Sequence, residues 1–230
     1  MSVIATVCAR GGSTGLPRKN VRPLLDKPLI TWTIEQAARI ASIDAVYVST
    51  DDAEIASVAK NAGGRILGMR PAELATSAAP KLPVIRHLVE QVEASGVKVD
   101  TIVDLDPTSP LRADQDIEDC LALLAPEVDV VITAFPSEKS PYFNMVEETA
   151  DGNVRLVKAP TSPVFGRQGA PRVYSMNASV YVWHRHTLDK GLWEGKVRMH
   201  NMPRERSIDV DTLLDFKLVE MLMKERVAGE

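Results

Sequence analysis

Cysteine is scarce in this sequence, with only Cys8 and Cys120 among 230 residues. Both lie in apolar runs far apart in the chain, which favours reduced thiols over a disulfide framework. An excess of basic residues is also missing, because 27 lysines and arginines are balanced by 31 aspartates and glutamates, giving a net charge of −4. This charge balance argues against an extended nucleic-acid-binding face and leaves local anion sites.

Long apolar runs are absent as well. No stretch approaches the ~20 residues needed to cross a bilayer, and the N-terminus lacks the basic-then-apolar pattern of a signal peptide. We therefore expect a cytoplasmic protein with no membrane partner. The hydrophobic content of 45% is enough to bury one substantial core, so we predict a single domain over residues 1–230.

The most informative stretch is the basic, glycine-rich segment 9–20, which follows the apolar run Val3–Cys8. Its glycines allow backbone N–H groups to turn toward one point, and Arg10, Arg18 and Lys19 add positive charge around that point. A polyphosphate would satisfy both features. The spacing fits neither the P-loop nor the dinucleotide fingerprint, because no Gly-Lys-Ser/Thr follows and Pro17 interrupts the segment. The alternative is a glycine-rich turn with a solvated basic rim.

Alternating strand and helix patterns predict an α/β fold with a mostly parallel sheet and flanking helices. β-type runs at 3–8, 45–49, 65–67, 101–105 and 128–134 alternate with helical patterns at 28–42, 53–62, 81–94 and 114–124. Such alternation implies right-handed crossovers, with ligands bound at the carboxyl ends of the strands. The periodicity is lost over 135–171, an irregular excursion, before strands at 172–174 and 178–183 and a final helix over 211–226.

A second signal is the pair Asp209 and Asp211. Two carboxylates separated by one residue at the end of an extended run can point to the same side, and such hard oxygen ligands suit Mg²⁺. An alternative for Asp211 is that it N-caps the last helix. That alternative does not account for Asp209.

Five motifs, in their order along the chain, resemble the acylneuraminate cytidylyltransferases, which make CMP-activated sialic and related nine-carbon acids. They are ARGGSTGLPRKN at 9–20, STD at 49–51, PTSPLR at 107–112, NASVY at 177–181 and IDVD at 208–211. The resemblance covers essentially the whole chain. It implies a Rossmann-like nucleotidyltransferase fold, CTP as co-substrate, Mg²⁺ as cofactor and a homodimer. The excursion 135–171, with Tyr142, Phe143 and Phe165, would form the dimerisation arm.

The resemblance also implies roles for individual residues. Nucleotide binding would fall to Ala9, Arg10, Gly11, Gly12, Ser13, Lys19, Asn20 and Arg70. The catalytic residues would be Arg10, Lys19, Asp209 and Asp211, and the two aspartates would hold the metal. Sugar binding would fall to Asp106, Arg167 and Gln168. An arginine suits a sugar carboxylate because its guanidinium can donate two parallel hydrogen bonds.

Two departures from the sialic acid enzymes bear on the identity of the sugar. Asp106 stands where those enzymes usually carry Gln, and Asn177-Ala178 stands where they usually read Asn-Gly. Shorter matches are more similar to the legionaminate-activating branch, namely CAR at 8–10, LPV at 82–84, DLD at 104–106, PYFN at 141–144 and MNAS at 176–179. We therefore predict a cytidylyltransferase that couples CTP to a legionaminate-type or N-acylneuraminate acid.

Three questions stay open from the sequence. The enzyme could instead be a nucleotidyltransferase for another acid sugar, such as a 3-deoxy-octulosonate. The chain could also be a non-catalytic nucleotide-binding scaffold, although neither the basic loop nor the aspartate pair is lost. The general base is not identified, with a metal-bound hydroxide and Asp106 as candidates, and an aspartate of pKa ~4 would need an upward shift for that role.

Overall fold

The structure, a computed structural model, describes residues 1–159 and 166–229. Its strands are β1 Val3–Cys8, β2 Pro23–Leu24, β3 Lys27–Pro28, β4 Ala45–Ser49, β5 Thr101–Leu105, β6 Val130–Pro136, β7 Val146–Glu148, β8 Val154–Leu156, β9 Tyr174–His184 and β10 Val197–Asn201. Its helices are α1 Leu29–Arg39, α2 Ala53–Asn61, α3 Lys81–Ala94, α4 Asp114–Leu123 and α5 Leu213–Gly229. Within these ranges, no helix is both long enough and apolar enough to cross a membrane.

Six strands form the central sheet, in the order β10-β6-β9-β5-β1-β4. Five of them run in one direction, and β9 lies antiparallel between β5 and β6. The predicted α/β fold with a mostly parallel sheet is confirmed. The loops that follow β1, β4 and β5 therefore meet at one edge of the sheet, where α/β proteins bind ligands.

Helices cover both faces of this sheet. Apolar side chains of α1, α2 and α4 pack on one face, and those of α3 pack on the other. A third apolar cluster joins α5 to Leu16, which lies in the segment after β1, and to Leu111 and Val210. The elements that carry the predicted site are thus connected through buried hydrocarbon.

Local signals explain where several elements begin. Pro28 precedes α1, and the Asp52 carboxylate caps α2 by accepting hydrogen bonds from the backbone N–H groups of Glu54 and Ile55. Such a cap satisfies two of the N–H groups that a helix start leaves without a partner. Cys8 and Cys120 are free thiols, as predicted.

The structure corrects three details of the predicted elements. The expected strand at 65–67 is reduced to a single bridge between Tyr47 and Arg65. The two short strands expected near 172–183 form one long strand, β9. The sequence analysis missed β10, an edge strand with polar residues at several positions, because it lacks a continuous apolar run.

The predicted excursion contains a separate two-stranded sheet formed by β7 and β8. Tyr142 and Phe143 are half-buried at its base, and Phe165 lies outside the described residues. The exposed apolar side chains on the hairpin are aliphatic, with Val146 at 59% and Val154 at 66% exposure.

Strand β9 contains one residue in the left-handed region, Ala178, with φ 53°. It follows Asn177, whose Oδ1 accepts hydrogen bonds from the Thr133 hydroxyl and the Ser179 N–H, at an irregularity in the β6–β9 pairing. A Cβ in this conformation costs roughly 1–2 kcal/mol. The position therefore suits glycine better than alanine.

We predict that Ala178→Gly raises the free energy of unfolding by up to about 1 kcal/mol. Removing the Cβ relieves the left-handed strain, and the greater freedom of glycine in the unfolded chain offsets only part of that gain. Chemical denaturation measures the change. Ala38→Gly, at an exposed position of α1, is the matched control and should lose about 1 kcal/mol. A loss of similar size in Ala178→Gly would contradict the strain argument.

Candidate active site

Loops at the carboxyl edge of the sheet converge on a cavity of about 170 Å³. It is lined by Cys8, Arg10, Ser13, Thr14, Gly15, Lys19, Asn20, Asp106, Pro107, Thr108 and Asp211. A second cavity of about 240 Å³ shares Cys8, Arg10 and Asp106 with the first and adds Arg70 and Lys81. Most of the predicted nucleotide-binding residues, together with Asp106 and Asp211, thus lie around two adjoining cavities.

The basic loop is held against the segment that follows β4. The Ala9 N–H donates to the Ser49 carbonyl at 3.0 Å, and the Gly11 N–H donates to Asp51 Oδ1 at 3.0 Å. Arg18 pairs with Asp52 at 2.9 Å. The Ser13 N–H also donates to the Gly11 carbonyl at 3.0 Å, so two N–H groups of the loop glycine segment 11–15 are already bonded within the protein.

The loop glycines permit close approach instead of unusual backbone angles, since Gly11, Gly12 and Gly15 are not among the glycines with positive φ. A Cβ on Gly11 would lie 2.8 Å from Asp52 Oδ2, and one on Gly15 would lie 2.5 Å from the Asp211 carbonyl oxygen. Gly12 has open space around it. Gly15 therefore allows the basic loop to touch the segment that carries the aspartate pair.

Three polar side chains of the loop differ in how they are paired. Lys19 Nζ lies 2.8 Å from Asp211 Oδ1. Asn20 is buried and donates to the Arg10 carbonyl at 3.1 Å, and its Oδ1 has no partner within the described ranges. For Arg10, no side-chain hydrogen bond or ion pair is found among the residues described. Arg10 and Asn20 thus retain hydrogen-bonding capacity for a ligand.

Asp209 lies beside the cavity and does not line it. Its Oδ1 is buried and has no hydrogen-bond partner among the described residues. Burial, and next the charge of Asp106, raises the pKa of Asp209 to about 6. The following residue, Val210, is fully buried, and its N–H donates to the Thr108 carbonyl at 2.9 Å, which fixes Asp209 against the 107–112 loop.

The alternative reading of Asp211 as a helix cap is wrong. Thr212 and Asp215 form the cap of α5 instead, because the Asp215 N–H donates to Thr212 Oγ1 at 3.3 Å and the Thr212 N–H donates to Asp215 Oδ2 at 2.7 Å. This reciprocal pair is a capping box. The carboxylate of Asp211, with 71% of its side chain exposed, pairs instead with Lys19.

The carboxylates of Asp209 and Asp211 fit a hard cation that takes its other ligands from the substrate. Among the described residues, no group of three or more His, Cys, Asp or Glu could hold a metal ion without such help. The Oδ1 atom of Asp209 has no hydrogen-bond partner there and is an available oxygen ligand. Mg²⁺ is commonly bound in this way, by one or two carboxylates together with waters and substrate phosphates.

Asp106 is already tied to its neighbours. Its Oδ1 accepts from the N–H of Thr108 at 3.1 Å and from the Thr108 hydroxyl at 2.6 Å, and its Oδ2 lies 3.1 Å from Lys81 Nζ. Burial acts to raise the pKa of Asp106, but Lys81 and the Thr108 hydrogen bonds outweigh burial and lower it. A lowered pKa makes Asp106 poorly suited to the role of general base, so this candidate is not supported.

Lys81 is a site residue that sequence reasoning missed. Its Nζ lies 2.8 Å from Asp104 Oδ2, a fully buried carboxylate, and 5.0 Å from the centre of the Tyr181 ring. Burial alone would lower the pKa of Lys81, but the charges of Asp104 and Asp106 raise it well above the usual value. The sequence signal for Lys81 was indirect. Asp104 and Asp106 lie two residues apart on β5 and directly after it, and two buried carboxylates need a cation nearby.

Arg112 ends the 107–112 loop as a fully buried side chain. Its guanidinium donates to Gln36 Oε1, Thr33 Oγ1, the Asp106 carbonyl, and both the carbonyl and hydroxyl of Ser179. Burial lowers the pKa of Arg112 to about 10. These contacts make Arg112 a structural anchor of the loop that carries Asp106.

The predicted sugar residues of the excursion stand apart. Arg167 and Gln168 lie in the short 3-10 turn Arg167–Gly169, where Gln168 is exposed and the Arg167 side chain lies outside what the structure describes. Gln168 is not in the lining of either cavity. Sugar binding by these two residues stays a prediction.

Comparisons with known proteins agree with this geometry. A family model described as cytidylyltransferase matches residues 4–134. The chain is 37% identical over 228 residues to post-translational flagellin modification protein B of Campylobacter coli, covering 97% of this chain and 96% of that protein. It is 36% identical over 225 residues to CMP-N,N'-diacetyllegionaminic acid synthase of Campylobacter jejuni, covering 96% and 94% of the two chains.

A solved structure shares the fold. It is CMP:2-keto-3-deoxy-manno-octonic acid synthetase complexed with CTP, with a TM-score of 0.72, 18% identity, and coverage of 98% of this chain and 100% of that chain. At this identity, the similarity shows the fold alone. The predicted Rossmann-like nucleotidyltransferase architecture is confirmed.

The contact between the basic loop and Asp211 can be tested with two glycine variants. We predict that Gly15→Ala lowers the free energy of unfolding by about 1–3 kcal/mol, because its Cβ would displace the backbone of Asp211. Gly12→Ala, with open space around it, is the control and should stay within about 0.5 kcal/mol of the parent. Chemical denaturation measures the free energy of unfolding of both variants. Equal free energies of unfolding would show that the contact does not stabilise the fold.

Proposed function

The chain belongs to the cytidylyltransferase family, and from this premise we propose that it couples CTP to a nine-carbon acid sugar of the N,N'-diacetyllegionaminate type. The products are a CMP-sugar and pyrophosphate. The observation that carries the proposal is the meeting of Arg10, Lys19 and the Asp209/Asp211 segment at one edge of the sheet. The synthase of Campylobacter jejuni named above supports the choice of sugar class. Because CTP is made inside the cell, we place the reaction in the cytoplasm.

The reaction follows from the arrangement of charges. The anomeric hydroxyl of the acid sugar attacks the α-phosphorus of CTP and releases its proton to the solvent, while the bond from the α-phosphorus to the bridging oxygen breaks and pyrophosphate leaves. Arg10 and Lys19 would bind the phosphates that leave, and thereby stabilise negative charge that grows in the transition state. Asn20, with its unpartnered buried oxygen, would accept a hydrogen bond from the nucleoside. Most of the catalytic effect would come from positioning and charge neutralisation.

Asp209 and Asp211 would hold Mg²⁺, with phosphate oxygens and waters as the other ligands. Once bound, the ion supplies charge neutralisation on the phosphates. Lys19 occupies Asp211 in the structure, at 2.8 Å. A lysine ammonium has three N–H donors, and the exposed Asp211 carboxylate has a second oxygen. Lys19 could therefore bind a phosphate without leaving Asp211, and a shift of Lys19 toward the phosphates would free both oxygens of Asp211 for the metal.

A pyrophosphate-release assay tests the proposed function. Four nucleoside triphosphates would be combined with N,N'-diacetyllegionaminate, N-acetylneuraminate and a 3-deoxy-octulosonate, each with and without a chelator. We expect turnover with CTP and the nine-carbon acids only, and none under full chelation. Turnover confined to the octulosonate would favour another acid sugar, and no turnover with any pair would favour a non-catalytic scaffold.

We predict that Asp209→Asn abolishes turnover without loss of the fold. The amide keeps the volume of the side chain but offers a hard cation no negative charge. The apo protein should be at least as stable as the parent, because the substitution removes a desolvated negative charge that lies near the charges of Asp106 and Asp211. Steady-state kinetics and thermal unfolding measure the two effects, with the exposed Asp26→Asn as control. An unchanged kcat would show that Asp209 has no role in catalysis.

We predict that Arg10→Ala weakens CTP binding more than Lys19→Ala does. Arg10 has no competing ion pair among the described residues, whereas the charge of Lys19 is already partly neutralised by Asp211. A charge-assisted hydrogen bond to phosphate contributes about 1.5–3 kcal/mol, so Arg10→Ala should raise the Kd about 10- to 150-fold. Arg18→Ala serves as control, because Arg18 pairs with Asp52 and Glu54 outside the cavity lining. Titration calorimetry gives the Kd values. If both variants bind CTP as tightly as the parent, the loop is a glycine-rich basic turn with no role in binding the nucleotide.

We also propose that the protein is a homodimer built on the excursion 135–171. Val146 and Val154 are largely exposed on the β7–β8 hairpin, with Met145 and Val157 beside them. A hairpin of this size is marginally stable alone, so a partner surface would stabilise it. Light scattering at micromolar concentration should give the mass of a dimer, and Val146→Asp with Val154→Asp should shift it toward monomer. A monodisperse parental monomer would contradict the proposal.

A further inference from the structure

The Asp209/Asp211 pair lies on the stretch 202–212 between β10 and α5, which contains the short 3-10 turn Arg204–Arg206. The Met202 N–H donates to the Ala134 carbonyl at its start, and Lys19 pairs with Asp211 near its end. Three further contacts join the stretch to α4, β9 and the 107–112 loop. The Arg206 guanidinium pairs with Asp116, the Ser207 hydroxyl accepts from Asn177 Nδ2 at 3.0 Å, and the Val210 N–H donates to the Thr108 carbonyl.

The ion pair is the strongest of the three contacts. Arg206 Nε lies 2.9 Å from Asp116 Oδ2, and its second nitrogen lies 2.8 Å from Oδ1, so the pair is bidentate. Asp116 is 1% exposed, and it also accepts from the Ala113 N–H at 2.8 Å and interacts with His200 Nε2 at 3.1 Å. Asp119 Oδ2 is 3.9 Å from the other ring nitrogen of His200. Both oxygens of Asp116 are thus fully occupied in a fixed orientation.

Asp116 links the ion pair to the loop that lines the cavity. Asp116 lies in the first turn of α4, directly after the loop 107–112, so it is rigidly connected to Thr108 and Asp106. Arg206 lies three residues before Asp209. Only the carboxylate of this pair is buried, because 34% of the Arg206 side chain is exposed and 1% of the Asp116 side chain is. Two parallel hydrogen bonds to a buried carboxylate fix the orientation of the arginine. The pair holds the stretch with the aspartates in register with the loop that bears Asp106.

We propose that Arg206 and Asp116 are positioning residues that set the geometry of the Asp209/Asp211 pair toward its cation. This inference rests on the proposed function and assigns a role to two residues outside the lining of both cavities. Groups hydrogen-bonded directly to metal ligands typically change metal affinity or activity 10- to 100-fold when removed. Arg206 and Asp116 act one contact farther out, so Arg206→Met should weaken cation binding and lower kcat by about tenfold, the lower end of that range. The Kd for CTP measured without a cation should stay within about twofold of the parent.

The protein contains a matched control for loss of a bidentate ion pair. Arg185 binds Glu93 through Nε at 2.8 Å and a second nitrogen at 2.9 Å, and neither residue belongs to the lining of the two cavities. Arg185→Met removes a pair of the same geometry, although the Glu93 side chain is 34% exposed and the Asp116 side chain is 1% exposed. Arg206→Met should therefore lower Tm more, because it leaves a buried carboxylate without its partner. If the Arg206–Asp116 pair only stabilises the fold, both arginine variants should leave cation binding unchanged.

The experiment measures Mn²⁺ or Mg²⁺ binding to the CTP-saturated protein by titration calorimetry, together with kcat, the KM for CTP and thermal unfolding. The parent and the Arg206→Met, Arg206→Lys, Asp116→Asn and Arg185→Met variants would be compared. We expect weaker cation binding in the Arg206 and Asp116 variants only, with Arg206→Lys intermediate because a lysine cannot make the bidentate contact. If Arg206→Met does not fold, Arg206→Lys and Asp116→Asn carry the comparison.

Two results would overturn the inference: parental cation affinity in Arg206→Met and Asp116→Asn, or an equal loss in Arg185→Met. Failure of the proposed function has a different signature, because the parent would then release no pyrophosphate from CTP with any acid sugar. A parent that turns over but binds no cation would refute the metal assignment, and this inference with it.

Discussion

The buried guanidinium of Arg112 is the interaction on which the arrangement of the site depends. It donates to five acceptors, two on α1, two on β9 and the Asp106 carbonyl, while its side chain is fully removed from water. A buried cation without such partners would be very costly, so the segments that supply the acceptors are held in place together. Nη1 shares its two hydrogens among three of these acceptors, whereas Nε donates to Gln36, so loss of the Gln36 amide would leave this donor unpaired in the interior. The loop therefore cannot move independently of the sheet.

The remaining parts of the site are built outward from this anchor. Thr108, in the same loop, holds Asp106 through two hydrogen bonds and receives the Val210 N–H through its carbonyl. Asp116, four residues after Arg112, receives Arg206. The aspartate pair and the loop of Asp106 are thus positioned by the same rigid region, while the basic loop reaches them through the close contact at Gly15. The basic loop and the 107–112 loop, which lie about 90 residues apart in the chain, are thus held in a fixed position relative to each other.

The parts of this structure that could be predicted from sequence depend on local patterns or on the ordered motifs. The apolar run Val3–Cys8 and the cap at Asp52 need no distant information, and both are observed. The left-handed backbone at Ala178 arises from pairing with β6, and Lys81 appears in sequence as an ordinary lysine at the start of a helix. Its role depends on two aspartates more than 20 residues away, so only the folded chain reveals it.

The pairing of charges in the cavity links the two expected ligands. Lys19 pairs with Asp211 in the structure. A triphosphate that drew Lys19 away would leave the Asp211 carboxylate without its cation, and the proposed metal ion would restore the missing positive charge. Binding of the two ligands would then be coupled, and by linkage the gain in affinity would be the same in either order of addition. Arg10, without such a partner in the described part of the chain, can engage the phosphates before this exchange takes place, which makes it the natural first contact for the nucleotide.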